Sequence, residues 1–335
     1  GGGDITVNGG TLDANSVSVA EGGMLATFSV TATQDSVADL TVTINDTVVD
    51  VHGNALVEAS ESKTVDTVNP VINDISTSFN TDVNDDVVSD SDAIVTYTVS
   101  FSEPIAGMGG GDITVNGGTL DAGSVVVADG GMSATFSVTA TQDSVADLTV
   151  TINDTVVDVH GNALIAATSE LETVDTENPA VNLAQSFGDD VDDNILADAD
   201  QPITYTVNFS EPVQAFTAED INTASNGEVQ SETIVLTTTE QGHVIGASFN
   251  VIAKDNFDGA LIVKIEPTVL DLNGNTLDPN SIQVQVDTKN PVVDVNLSGQ
   301  STSDGSYDFI EYDAVAAAES DERVHPVLET NVEEH

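Results

Sequence analysis

Apolar residues alternate with polar ones along most of this chain. The clearest run is Val95, Tyr97, Val99 and Phe101, separated by Thr96, Thr98 and Ser100. A period of two puts one set of side chains on a single face of an extended strand. The same alternation marks Met24, Ala26, Phe28, Val30 and Ala32, then Leu40, Val42 and Ile44. It returns as Ile203, Tyr205, Val207 and Phe209, and short strands are also expected through Ile113–Val115 and Ser124–Val127, then Met132–Thr141 and Leu148–Ile152. A first strand through Val71, Ile72 and Ile75 is expected to end near Phe79, and a last one near Val174. Turns such as Asn8-Gly9-Gly10 and Glu21-Gly22-Gly23 separate the strands. Between residues 70 and 178 this gives about seven short strands at β-sandwich spacing and no helix of useful length. The predicted class is all-β.

The pattern also repeats on a larger scale. Gly1–Leu56 and Gly109–Leu164 differ at four positions only: Asn15/Gly123, Ser18/Val126, Glu21/Asp129 and Leu25/Ser133. Phe101-Ser102-Glu103-Pro104 recurs as Phe209-Ser210-Glu211-Pro212, the same 108-residue shift. Val65-Asp66-Thr67-Val68-Asn69-Pro70 recurs as Val174-Asp175-Thr176-Glu177-Asn178-Pro179 and Val286-Asp287-Thr288-Lys289-Asn290-Pro291. A period of this length is the size of one small domain. The expected organisation is a tandem array of β-sandwiches. Residues 1–69 are a repeat without its first strands, 70–178 a complete repeat, and 179–290 a complete but divergent one. Residues 291–335 begin a further repeat and pass into an irregular acidic tail. The first segment should expose part of its core, and the chain reads as a piece of something longer.

Five basic residues (Lys63, Lys254, Lys264, Lys289, Arg323) stand against 57 acidic ones, for a net charge of −52. Phosphate-backbone binding needs clustered Lys and Arg, so nucleic acid is excluded, and anionic membrane surfaces are disfavoured. No apolar run approaches a membrane-spanning length. The absence of cysteine rules out disulfides and thiolate metal sites. Self-repulsion on this scale opposes a compact fold unless cations offset it. Bound divalent ions and adaptation to high salt both answer that requirement.

The Asp-Thr-x-Asn-Pro junctions, the Ser-Glu-Pro strand ending and the Asp-x-x-Gly-Asn loop (Asp158–Asn162, Asp271–Asn275) resemble bacterial immunoglobulin-like repeats. Such repeats build the extender regions of giant secreted surface adhesins, including biofilm-associated and RTX-type ones. The resemblance covers roughly residues 1–297 by repeat arithmetic. It implies calcium-rigidified rods that hold an adhesive tip away from the cell, with the neighbouring repeats of the chain as partners. The adhesive target lies outside this segment, which carries no tip module.

Calcium takes six to eight hard oxygen ligands from carboxylates and carbonyls. Asp82, Asn84, Asp85 and Asp86 offer such a set in one loop, and Asp189, Asp190, Asp192 and Asp193 in another. If the first strand of a sandwich runs downward, the acidic loop after it and the junction Asp lie together at the bottom. The top of the next sandwich carries the end of its second strand and the loop before its last strand. The second junction is therefore expected to combine Asp175 with Glu211, Asp271 and Asn273, beside the Asp82–Asp86 loop. The first is expected to combine Asp66 with Glu103, Asp158 and Asn162. Asp287 and the Asp189–Asn194 loop would serve a third. Solvated turn-forming is the plain alternative, stronger for Asp158 and Asp271 than for the dense loops.

His52 and His160 read as solvated turn residues, and His243, His325 and His335 fit no zinc spacing. Met24 and Met132 read as core fillers. No nucleophile turn or oxyanion loop is recognisable, and the expectation is that the chain is not an enzyme. The expected function is a calcium-stiffened spacer of a secreted bacterial adhesin, outside the cell at its surface, serving adhesion or biofilm formation. A carbohydrate- or protein-binding module, and an acidic surface-layer protein of a salt-loving organism, are the alternatives.

Overall fold

The computed structural model describes residues 1–79, 87–187 and 195–293. The acidic-loop candidates Asp82, Asn84, Asp85, Asp86, Asp189, Asp190, Asp192 and Asp193 lie outside the described residues, as does everything after Asp294's predecessor Val293. The chain divides into two compact units, Gly1–Asn178 with Leu272–Asn275, and Pro179–Asp271 with the described residues from Thr276 onward.

Within the first unit, residues 70–178 form a two-sheet sandwich. One sheet runs Gly118–Val127, Ser133–Ala140, Ile94–Phe101, Ile72–Ser78, all antiparallel. The other runs Ile113–Asn116, Leu148–Ile152, Thr168–Val174, Val87–Val88, its last pair parallel. The expected alternation holds: Val95, Tyr97, Val99 and Phe101 are buried, as are Ala134, Phe136, Val138 and Ala140 on the adjacent strand. Tyr97 pairs in register with Phe136, and their rings stack 5.2 Å apart at 3°. Cross-strand aromatic pairs of this kind add to the area they bury.

The topology departs from the expected one at a single place. Before the second strand, Val87–Val88 lies in the opposite sheet, joined to Thr168–Val174, and a short turn at Asp90–Asp92 follows. A two-residue strand is too short for the alternation rule to detect. Asp92 is also no surface acid: it is buried, and Ser89 donates to its Oδ1 through both N–H (2.5 Å) and Oγ (3.0 Å).

The second unit repeats this plan. Val181–Ser186, Ile203–Val213, Val244–Ala253 and Gly227–Thr238 belong to one sheet, in the order 181–186, 203–213, 244–253, 227–238. Ile195–Leu196, Asn280–Asp287, Asp258–Ile265 and Ile221–Asn222 form the other. Tyr205 faces Phe249 in register and stacks on it at 5.6 Å, so the aromatic pair recurs.

Residues 1–69 hold only Gly10–Val19 paired with Ala26–Ala32, and the sheet Ile5–Asn8, Leu40–Ile44, Ala59–Lys63. None of these 69 residues is buried. Phe28 stands where Phe136 stands in the next repeat, but no strand equivalent to Ile94–Phe101 covers it, and an open apolar groove runs along Phe28, Val42, Ile44 and Ala59. Met24 and Met132, expected in the core, are exposed. Each follows a Gly-Gly pair with positive φ, and the tight turn leaves the next side chain outside the sandwich.

The paired phenylalanines should therefore separate in energy. Phe136→Ala is expected to cost about 3–5 kcal/mol, and Phe28→Ala less than about half of that. Denaturant unfolding with hydrogen exchange resolved to each segment measures both.

Candidate metal centre at the repeat junction

The first unit contains one complete junction between repeats, and its backbone is set by two hydroxyls. Thr67 Oγ1 donates to Thr33 O (2.7 Å) and accepts from Ser36 N (3.1 Å). Thr176 and Thr288 do the same at their own junctions, to Thr141 O and Lys254 O, each at 2.7 Å. Past the proline, Val71 N donates to Ser102 Oγ at 3.0 Å, and Ala180 N to Ser210 Oγ at 2.8 Å. The Thr of Asp-Thr-x-Asn-Pro and the Ser of Ser-Glu-Pro are thus clamps that fix the acids beside them. Sequence reasoning missed these roles, although the hydroxyls recur at every copy of the motif.

The Asp158–Asn162 loop is built by local hydrogen bonding. Asp158 Oδ1 accepts from His160 N and Asn162 N, both at 2.8 Å, and Oδ2 from Asn162 Nδ2 at 2.8 Å. Gly161, at φ 94°, supplies the left-handed step that lets Asp158 N reach Asn162 O at 2.9 Å. The loop is joined to the Ser-Glu-Pro segment, where Asp158 pairs with Ile105 and Val159 N donates to Pro104 O at 3.3 Å. It also reaches the preceding repeat: Asn162 Nδ2 lies 3.3 Å from Asp66 O.

This brings Asp66 and Asp158 together and adds His160; Glu103 lies outside that set, close enough to feel the charges of Asp66 and Asp158. Asp66, Asp158 and His160 each present a ligand atom, all within 4.8 Å of one another, a set that can hold a metal ion. His160 Nδ1 lies 3.1 Å from Asp66 Oδ2, so it is no bystander in a solvated turn. Asp66 Oδ1 is occupied by Val68 N at 3.0 Å, leaving Oδ2 toward the cluster. Two expectations are corrected. Asp158 and Asp271 were the weaker candidates as solvated turn formers, yet each is only 1% exposed. The N–H groups of the loop that follows turn the Asp158 side chain inward.

Electrostatics mark the same place. Burial raises the Glu103 carboxyl above the ordinary glutamate range, and the like charges of Asp66 and Asp158 push it further, with His160 opposing them. Its Oε1 is buried without a hydrogen-bond partner. Burial acts upward on Asp158 too, but the side chain and N–H of Asn162, with the N–H groups of His160 and Gly161, outweigh it and hold the group below its usual value. No Lys or Arg salt bridge reaches Asp66, Glu103 or Asp158 among the described residues.

Of the set expected at the second junction, Asp175 and Asn273 belong to the first unit and Glu211 and Asp271 to the second. In the first unit, Asn273 Nδ2 donates to Asp175 Oδ2 at 2.7 Å and Asn275 Nδ2 to Asp175 O at 2.9 Å. Asp90 N donates to Asn275 Oδ1 at 2.9 Å. In the second unit, Glu211 and Asp271 place carboxylate oxygens within 4.8 Å of each other, because Asp271 bridges to Val213 at the end of the Glu211 strand. Asp287 is exposed, its Oδ1 accepting from Lys289 N at 2.9 Å.

Residues 76–174 match the family of the bacterial Ig-like domain. That stretch is the complete sandwich described above, and it takes in Glu103, Asp158 and His160. Among solved structures, the chain is similar to one described as "Structural insight into host cell surface retention of a 1.5-MDa bacterial ice-binding adhesin". The identity is 19% over 80% of this chain and 81% of that one, with a TM-score of 0.28. It is also similar to the N-terminal part of the bacterial S-layer protein SbsC, at 15% identity over 65% of this chain and 44% of that one, TM-score 0.21. At scores this low neither likeness extends to function. No match is found among curated proteins. Among the described residues, no helix is long and apolar enough to cross a membrane.

A carboxyl with a raised folded-state pKa contributes stability at low pH that is lost as pH rises through that pKa. In chelator at neutral pH, Glu103→Gln should therefore raise the melting temperature, by about 2–5 °C. The advantage should shrink as pH falls toward the ordinary glutamate range, which a pH series of thermal melts would follow.

Proposed function

We propose that this chain is a spacer segment of an exported bacterial surface adhesin, in which divalent ions, chiefly calcium, stiffen the joints between Ig-like repeats. The observation that carries this reading is the meeting of Asp66 from one repeat with Asp158 from the next, with Glu103 close enough to feel both charges, inside a frame of backbone clamps and with no Lys or Arg salt bridge reaching them among the described residues. Without a cation these acids repel and favour a loosened joint. With one they become ligands, and the repulsion turns into an attachment between the repeats. The proposed activity is mechanical, and the proposed address is the outside of the cell.

A second reading has its own support. Asp13, Glu21, Asp46, Asp121, Asp129, Asp143 and Asp147 are exposed and far along the chain from any junction motif. A coat of scattered acids suits a surface-layer protein working in high salt, where it keeps the protein hydrated. This reading predicts stabilisation by any salt at equal ionic strength.

A site with a dissociation constant near ~10⁻⁴ M adds about 2.7 kcal/mol in ~10⁻² M calcium. Replacing calcium by chelator at matched ionic strength should therefore lower the melting temperature and speed hydrogen exchange at the Asp66–Asn69 amides. Glu103→Gln, stabilising in chelator, should become destabilising in calcium. If melting and exchange depend on ionic strength alone, the spacer stiffened by bound ions gives way to the salt-adapted coat.

A further inference from the structure

The Asp158 loop and its counterpart in the next repeat differ in one ligand-bearing position. Asp158-Val159-His160-Gly161-Asn162 carries an imidazole where Asp271-Leu272-Asn273-Gly274-Asn275 carries an amide. The difference matters to a metal. Calcium prefers oxygen and gains little from an imidazole nitrogen, whereas Zn²⁺ and its neighbours in the first transition row bind imidazole with carboxylate readily.

We infer that the Asp66–Asp158–His160 cluster is selective for a zinc-class divalent ion over calcium, with His160 Nδ1 as its nitrogen ligand. The inference rests on reading this junction as a metal site, and it assigns that site a different ion from the one proposed for the joints in general. Three observations carry it. His160 Nδ1 and Asp66 Oδ2 are 3.1 Å apart, about the spacing of two ligands on an ion ~2.0–2.2 Å from each. The imidazole belongs to a set whose ligand atoms lie within 4.8 Å of one another. Next to the set, Glu103 keeps a buried carboxylate oxygen with no hydrogen-bond partner, its charge opposed by Asp66 and Asp158. Two carboxylates and one imidazole, with a fourth position left to water, make a set of the kind zinc accepts.

The test uses the full chain in calcium-saturated buffer, titrated with Zn²⁺ and with Co²⁺ as its coloured stand-in. His160→Asn gives the loop the residue found at position 273, and His52→Asn, in the near-identical loop of the first repeat, is the control. The expected result is a site that binds Zn²⁺ despite the calcium, is weakened at least tenfold (on the order of 10- to 100-fold or more) in His160→Asn, and is unchanged in His52→Asn. On the unaltered chain, Zn²⁺ but not Ca²⁺ should protect His160, and not His52, from acylation by diethyl pyrocarbonate, read by mass spectrometry. This second readout needs no variant to fold. Equal zinc affinity in His160→Asn, or no protection of His160, overturns the inference. Binding of calcium without zinc overturns it while leaving the stiffened joint intact. Failure of both ions to bind removes both.

Discussion

Carboxylates that meet across a covalent joint cannot move apart without moving the domains that carry them. Two unit charges about 4 Å apart repel by about 4 kcal/mol at an effective dielectric near 20. An exposed pair would relax by rotating into water. At the first junction that relaxation is blocked, because Thr67 and Ser102 hold the backbone on either side of Asn69-Pro70 and the Asp158 carboxylate is tied down by three donors of its own loop. The rigid hydrogen bonding of the junction motif and the charge it concentrates form one device. The clamps make the repulsion unavoidable, and the unavoidable repulsion makes a cation valuable.

The two near-identical segments show how little of a residue's environment is contained in its own sequence. Phe28 and Phe136 sit in the same local run, Ala-Thr-Phe-Ser-Val-Thr-Ala, and adopt the same strand. Only Phe136 is buried, because only it has Tyr97 to stack on. Strand formation follows from alternation and β-propensity in the run itself. Burial follows from the opposite partner, Tyr97, which lies 136 − 97 = 39 positions away in the chain, and the four substitutions between the copies have no bearing on it.

That distinction explains what was legible. The strands Ile94–Phe101, Leu148–Ile152 and Ile203–Val213 could be read directly, since each has an apolar face with period two. The meeting of Asp66 and Asp158 followed from the direction in which strands run, a property of the sandwich as a whole. What escaped was governed by single hydrogen bonds or by very short elements. Val87–Val88 is a strand only because Thr168–Val174 has a free edge beside it. Asp158 reads as a solvated turn acid, yet it is buried while the N–H groups of its loop donate to it. His160 reads as a lone turn residue within its own segment, whereas its neighbour Asp66 lies in another repeat.

The same reasoning bears on why charge can be so lopsided in a folded chain. Counting net charge treats every acid as equal, but those of the described residues fall into three groups. Asp92, Asp158 and Asp220 accept N–H bonds that close turns, so their charge is offset by aligned backbone dipoles. Asp13, Asp121 and Asp143 are exposed, where water and salt screen them. Asp66 and Glu103 belong to neither group, being half-buried and facing like charge. The first group supports the fold and the second tolerates its surroundings. Only the third is left with an electrostatic demand that the chain's few basic residues do not meet, and that demand falls where one repeat joins the next.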